Sequence, residues 1–152
     1  MGEDTMSHSL IKIWIHGVFS TKDRIPLIKE TFEKKLYVHI TEHLEKDFDC
    51  GVSAINGTAD HIHILFLMSQ NFAIQQIFKN IKGESSHWIN SQNITKDKFA
   101  WQVGYGAFSV SQSKVKSVEE YIRNQKEHHK KQTFANEYDA FMKKYGLNIV
   151  NR

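Results

Sequence analysis

Alternation and helical spacing divide the chain into a short series of elements. In residues 10–19, LIKIWIHGVF, Ile11, Ile13 and Ile15 share one face, and Lys12, Trp14 and His16 share the other. A period of two predicts a strand. TKDRIP (21–26) reads as a loop. In residues 30–46, Phe32, Leu36, Ile40 and Leu44 recur at helical spacing with charges between them, which predicts an amphipathic helix. Residues 50–57 read as a strand ending on the turn pair Asn56-Gly57. Residues 61–68, HIHILFLM, are the most apolar run and so a central strand, joined to the preceding one by a short hairpin loop. Ile74, Ile77, Phe78 and Ile81 predict a second helix over 72–90. The segment 104–112, GYGAFSVSQ, reads as an aromatic strand. Ser117 followed by Glu120 has the form of a capping box, opening a third helix over 117–131. Phe134, Tyr138, Phe141 and Tyr145 predict a last amphipathic helix over 134–145.

The order β-α-β-β-α-β followed by helices predicts an α+β fold. It is the ferredoxin-like split β-α-β arrangement: an antiparallel sheet with two helices on one face, plus C-terminal helices. The other sheet face is then free for a ligand or partner. With no repeat or linker, one domain is expected over 1–152, its first eight residues flexible. A chain of 152 residues has room for one core. No apolar run nears the roughly 18 residues of a membrane span. The N-terminal MGEDTMSHS lacks the order of a signal peptide. The lone Cys50 excludes an internal disulfide and reads as a small core residue, so a reducing, cytoplasmic setting is expected.

Histidine changes the picture. There are nine, clustered in HIH (61–63) and HH (128–129), and imidazole both binds metals and titrates near neutrality. On a strand, His61 and His63 project from one face and Ile62 and Ile64 from the other. Two such imidazoles can converge on a divalent ion, although a bare H-x-H is also compatible with two sheet-surface histidines. On the third helix, Tyr121 and Gln125 lie four apart on one face, with His128 a turn further. A phenol is a nucleophile and a primary amide a neutral oxygen ligand. Val115, Val118 and Ile122 form an apolar stripe beside them. Lys114, Lys116, Arg123, Lys126, Lys130 and Lys131 outnumber Glu119, Glu120 and Glu127 there. A basic helix carrying a nucleophile suits a polyanion; the net charge of +3 permits a nucleic acid without requiring one. His16 is a candidate for a contact behind the metal or to phosphate. His128 and His129 are candidate phosphate contacts or simply exposed helix residues. Asp60 reads as a turn residue, Tyr105, Trp88 and Trp101 as packing residues.

Several stretches resemble a known family: the single-tyrosine, histidine-hydrophobic-histidine transposases of insertion sequences that move as single-stranded DNA, with their REP-associated relatives. The stretches are STKDRIP, ADHIHILF, FKNIKGESSHWIN, FAWQVGYGAFSVSQS and VEEYIRNQKEHH, spanning about His16 to His129. H-x-H followed by WQ-x-GYG and then Y-I-x-N-Q is a specific order. The resemblance implies Tyr121 as nucleophile, and His61, His63 and Gln125 as ligands of Mg²⁺ or Mn²⁺. It also implies cleavage and rejoining of single-stranded DNA at hairpin-marked ends through a 5′-phosphotyrosine. It implies a homodimer as well, in which the tyrosine helix of one subunit completes the histidine site of the other. A non-catalytic single-strand-binding protein and a domesticated repeat-processing protein are the alternatives. The tail after about residue 132 carries no part of the resemblance.

Overall fold

The structure is a computed structural model that describes residues 9–144. Its strands are β1 (Trp14–Ser20), β2 (Gly51–Gly57), β3 (His61–Leu67) and β4 (Gly106–Val110). They form one sheet in the order β2-β3-β1-β4, with every pairing antiparallel. With α1 (Glu33–Asp47) after β1 and α2 (Ile74–Ser91) after β3, this is the expected split β-α-β order. The expectation of a flexible segment over residues 1–8, and of Tyr145 in the last helix, falls outside the described residues.

The principal core lies between the sheet and α1 and α2. Leu36, Ile40 and Leu44 from α1 and Ile77, Phe78 and Ile81 from α2 cover Ile15, Phe19, Ile62, Ile64 and Phe66. Strand alternation sends these apolar residues one way and His16, Val18, His61, His63 and Leu65 the other. Register fixes the second face: Val18 pairs with His63, His16 with Leu65 and Ser20 with His61.

That second face is not free. A 3-10 turn (Gln112–Lys114) leads into α3 (Val115–Arg123), α4 (Gln125–His128) and α5 (Phe134–Lys144), which fold back over it. Val115 and Ile122 are buried with Ala54, Leu65 and Val110 in a second core. The apolar stripe read from the sequence is therefore covered by the chain's own sheet.

Four local expectations are corrected. The first strand begins at Trp14 rather than Leu10, because its partners run out where Trp14 pairs with Leu67 and Val110; Ile11 and Ile13 stay half exposed. The fourth strand is trimmed to Gly106–Val110, with Tyr105 stacked flat on Phe78, ring centroids 4.3 Å apart. The third helix starts at Val115, so Ser117 lies inside its first turn and donates to the Lys114 carbonyl at 2.9 Å instead of capping it. The same helix breaks at Asn124, whose carbonyl accepts from the Glu127 and His128 amides and starts a new turn.

The hairpin between β2 and β3 sets the position of His61. The Thr58 amide donates to the His61 carbonyl at 3.0 Å, and the Thr58 hydroxyl donates to Asp60 at 2.9 Å. A Cβ at Gly57 would collide with the His61 carbonyl oxygen and crowd the Ile62 backbone. Because the colliding atoms are backbone, relief requires the hairpin itself to move. Gly57→Ala is expected to cost on the order of 1–3 kcal/mol, the range for overpacking. Urea denaturation would read this as a lowered midpoint; an unchanged midpoint would show that the hairpin is free to shift.

Candidate active site

Strand β3 delivers His61 and His63, strand β1 delivers His16, and all three imidazoles are buried. Each β3 imidazole is gripped at Nδ1. His61 Nδ1 donates to Asp60 Oδ1 at 2.9 Å, so Asp60, read from sequence as a turn residue only, also orients the histidine. His63 Nδ1 shares a hydrogen bond of 2.8 Å with His16 Nε2. Held from behind in this way, both rings turn Nε2 toward the helices, the arrangement seen when a histidine's second nitrogen fixes a ligand nitrogen.

The helices answer with oxygen. Gln125, fully buried on α4 after the Asn124 break, places Oε1 3.0 Å from His61 Nε2. Glu137 on α5 places Oε1 3.0 Å from His63 Nε2, 3.0 Å from His129 Nε2 and 3.4 Å from His61 Nε2. Its other oxygen accepts the Gln125 side-chain amide at 2.9 Å and the Tyr121 hydroxyl. Tyr121 and Gln125 thus meet His61 and His63 of the same chain. Asn56 ties α3 down by donating to the Ile122 and Arg123 carbonyls, both at 3.0 Å.

Electrostatics follow from this packing. Burial pushes His63 down to about 4, with His61 and His129 adding to the effect, and burial together with the facing His63 ring pushes His16 down to about 3. Burial acts against the charge on His61 too, but its bonds to Asp60, Glu137 and Gln125 outweigh it and hold the proton above the ordinary range. His61 Nδ1 faces Asp60, while its Nε2 lies 3.0 Å from Gln125 Oε1 and 3.4 Å from Glu137 Oε1. Burial would raise Glu137, yet its bonds from His61, His63 and Tyr121 hold its carboxyl well below the usual range. Tyr121 moves the other way: burial and the Glu137 charge raise it above an ordinary phenol.

The remaining candidates divide. His128 stacks on the Tyr121 ring with centroids 4.5 Å apart, a packing contact that fixes the ring plane. Lys126 is tied by its ammonium to Asn56 at 2.9 Å, the Gly57 carbonyl at 3.2 Å and Glu33 at 3.1 Å, so it serves the hairpin more than an incoming strand. Lys114, Lys116 and Arg123 are exposed on the outer side of the tyrosine helix. Glu137 is not among the residues the sequence singles out, and His129 reads there as no more than an exposed residue or phosphate contact. The signal for Glu137 was a carboxylate within the apolar stripe of the last helix, three residues after Phe134 and four before Phe141.

The donor set suits a divalent cation. Ligand atoms of His61, His129 and Glu137 all lie within 4.8 Å of one another, and His63 Nε2 and Gln125 Oε1 point to the same spot. Imidazole nitrogen with amide and carboxylate oxygen is a set that Mg²⁺ or Mn²⁺ accepts.

Residues 9–125 match the sequence profile of the family described as "Transposase IS200 like". The chain belongs to this family of transposases. No curated protein matches the chain closely enough to count. Among solved structures, it is similar to a protein from Deinococcus radiodurans described as a transposase candidate, with TM-score 0.61 and 19% identity over 81% of this chain and 98% of that one. It is also similar to a REP-associated tyrosine transposase bound to a REP hairpin, with TM-score 0.60 and 15% identity over 85% of this chain and 74% of that one. These two likenesses bear on the fold. Among the described residues, no helix is long and apolar enough to cross a membrane.

The buried histidines make stability depend on pH. Between about 6.5 and their folded values, His63 and His16 are protonated in the unfolded chain but not in the folded one. Stability then falls as pH drops, by up to about 1.4 kcal/mol per unit per group. His61, raised when folded, contributes stability that is present below about 6.5 and lost as pH climbs through its folded value. Below about 6.5 the His61 contribution is constant, so His63 and His16 set the slope there. In metal-free buffer the denaturation midpoint is expected to fall between pH 6.5 and about 4.5; a flat midpoint would mean that these rings are not buried as neutral groups.

Proposed function

We propose that the chain cleaves and rejoins single-stranded DNA at hairpin-marked element ends, with Tyr121 as the nucleophile. The observation that carries this reading is convergence. The Tyr121 hydroxyl, the Nε2 atoms of His61 and His63, and the Gln125 side chain all converge on the Glu137 carboxylate, so the phenol stands beside the imidazole pair. His61, His63 and Gln125 would hold Mg²⁺ or Mn²⁺, which when bound supplies Lewis-acid polarisation of the scissile phosphate.

The protein's own contributions are positional. Tyr121 Oη forms the bond to phosphorus and the P–O3′ bond breaks, leaving a 5′-phosphotyrosine and a free 3′-OH. In the rejoining step a 3′-OH attacks the phosphotyrosine and restores the Tyr121 hydroxyl, so the bond energy is kept in the ester. Glu137, held low, is a weak base, and its hydrogen bond orients the phenol more than it removes the proton. Asp60 and His16 keep the two rings aimed inward. The solved relative bound to a REP hairpin supports hairpin DNA as the substrate form. The exposed Lys114, Lys116 and Arg123 offer a salt-sensitive path for the strand.

Phe at position 121 keeps the ring stacked on His128 and removes the hydroxyl alone. Tyr121→Phe is expected to abolish the covalent protein–DNA adduct formed with a single-stranded element end while hairpin affinity changes less than about threefold. Adduct retained by this variant would move the nucleophile elsewhere. Hairpin binding with no adduct by the wild type would favour the non-catalytic binding protein.

The homodimer implied by the resemblance enters the same proposal with one change. Sharing sites would require α3 to leave the Ala54, Leu65 and Val110 surface of its own sheet. We expect each site to work within one chain. Mixed dimers of Tyr121→Phe and His61→Ala subunits should therefore regain no adduct formation; recovery would show that the tyrosine helices exchange.

A further inference from the structure

The carboxylate on α5 is a feature that the histidine, glutamine and tyrosine reading neither needs nor explains. Glu137 is 2% exposed, carried by an element after the Y-I-x-N-Q segment, yet it lies at the centre of the site. We infer that Glu137 is a further protein ligand of the divalent cation, supplying through Oε1 the one negative charge in an otherwise neutral donor set; this rests on the cation site proposed above.

Two observations carry it. The first is crowding at one atom. Glu137 Oε1 has His63 Nε2 and His129 Nε2 at 3.0 Å and His61 Nε2 at 3.4 Å. Two of these contacts are hydrogen bonds, which already fill the about two lone pairs of a carboxylate oxygen, and the His61 ring stands just beyond them. A cation would draw the Nε2 atoms of His61 and His63 and this oxygen into one shell. His129, at the edge of the cluster, holds the carboxylate from outside.

The second is spacing. Ligands at about 2.1 Å from an octahedral ion are about 3.0 Å from their neighbours. The separations of Gln125 Oε1 from His61 Nε2 and of Glu137 Oε1 from His63 Nε2 are both 3.0 Å. The cluster already has the edge lengths of a coordination shell.

The consequence is a coupling between the ion and α5. Glu137 Oε2 also accepts from Tyr121, so the ligand that anchors α5 touches the nucleophile. Ion binding should therefore order α5 and fix the phenol at the same time.

The test is Mn²⁺ binding to the full-length chain without DNA, read by the electron paramagnetic signal of free Mn²⁺ and by calorimetry. Glu137→Gln keeps the shape and removes the charge, and it is expected to weaken Mn²⁺ at least tenfold. His61→Ala is expected to abolish binding. Glu137→Gln with wild-type affinity, beside a dead His61→Ala, would overturn the role of Glu137 and leave the histidine site standing. Wild-type affinity in both variants would remove the histidine site itself. Should Glu137→Gln fail to fold, hydrogen exchange on the wild type decides: added Mn²⁺ is expected to protect the amides of Phe134–Lys144, and no change there would overturn the inference.

Discussion

One buried carboxylate holds the second face of this protein together. Glu137 accepts from two imidazoles, one amide and one phenol and lies 3.4 Å from a third imidazole, and these partners come from β3, α3, α4 and the turn after it. Burying a carboxylate costs several kcal/mol unless its charge is met, so α5 can settle here because the histidines stand where they do. The converse also holds. Without an anion or a cation between them, His61 and His63 would face each other across a dry pocket, their ring centroids 5.1 Å apart. The site is thus a charge-balanced unit, and each part of the C-terminal cover is placed by it.

The sheet supplies what such a unit needs, which is rigidity from behind. Alternation on β3 gives Ile62 and Ile64 to the main core and His61 and His63 to the site, so the histidines cannot turn away without unpacking the core. Asp60 and His16 then fix the rotation of each ring at Nδ1. Tyr121, the proposed nucleophile, is placed by a separate device. Val115 and Ile122 seat α3 on Leu65, Asn56 holds its end, and the Asn124 break lets Gln125 follow Tyr121 into the same pocket. A small α+β fold can therefore bring a phenol beside an imidazole pair without a long loop.

Much of this was legible in the sequence because it depends on periodicity. Period two over 61–67 separates the histidines from the isoleucines, and the four-residue step from Tyr121 to Gln125 puts both toward one site. The strand order followed from the alternation of strand and helix patterns. Long-range facts were not legible. The sheet face opposite α1 and α2 was expected to be free, since nothing local says that three further helices return to it. The capping box failed because Val115, three residues before Val118 and seven before Ile122, buries a turn earlier than the Ser117 signal and takes the helix start with it. Glu137 was hidden because a charge within an amphipathic helix ordinarily marks its wet side; its partners lie up to 76 residues away in sequence, at His61.

The central claim is that these side chains form a cation-holding centre facing Tyr121. Anomalous diffraction from crystals soaked in Mn²⁺ tests it most directly, because it locates the ion without reference to activity. A single strong peak bounded by His61 Nε2, His63 Nε2, Gln125 Oε1 and Glu137 Oε1 is expected. A well-ordered site with no peak at saturating Mn²⁺, or a peak held by other residues, would contradict it.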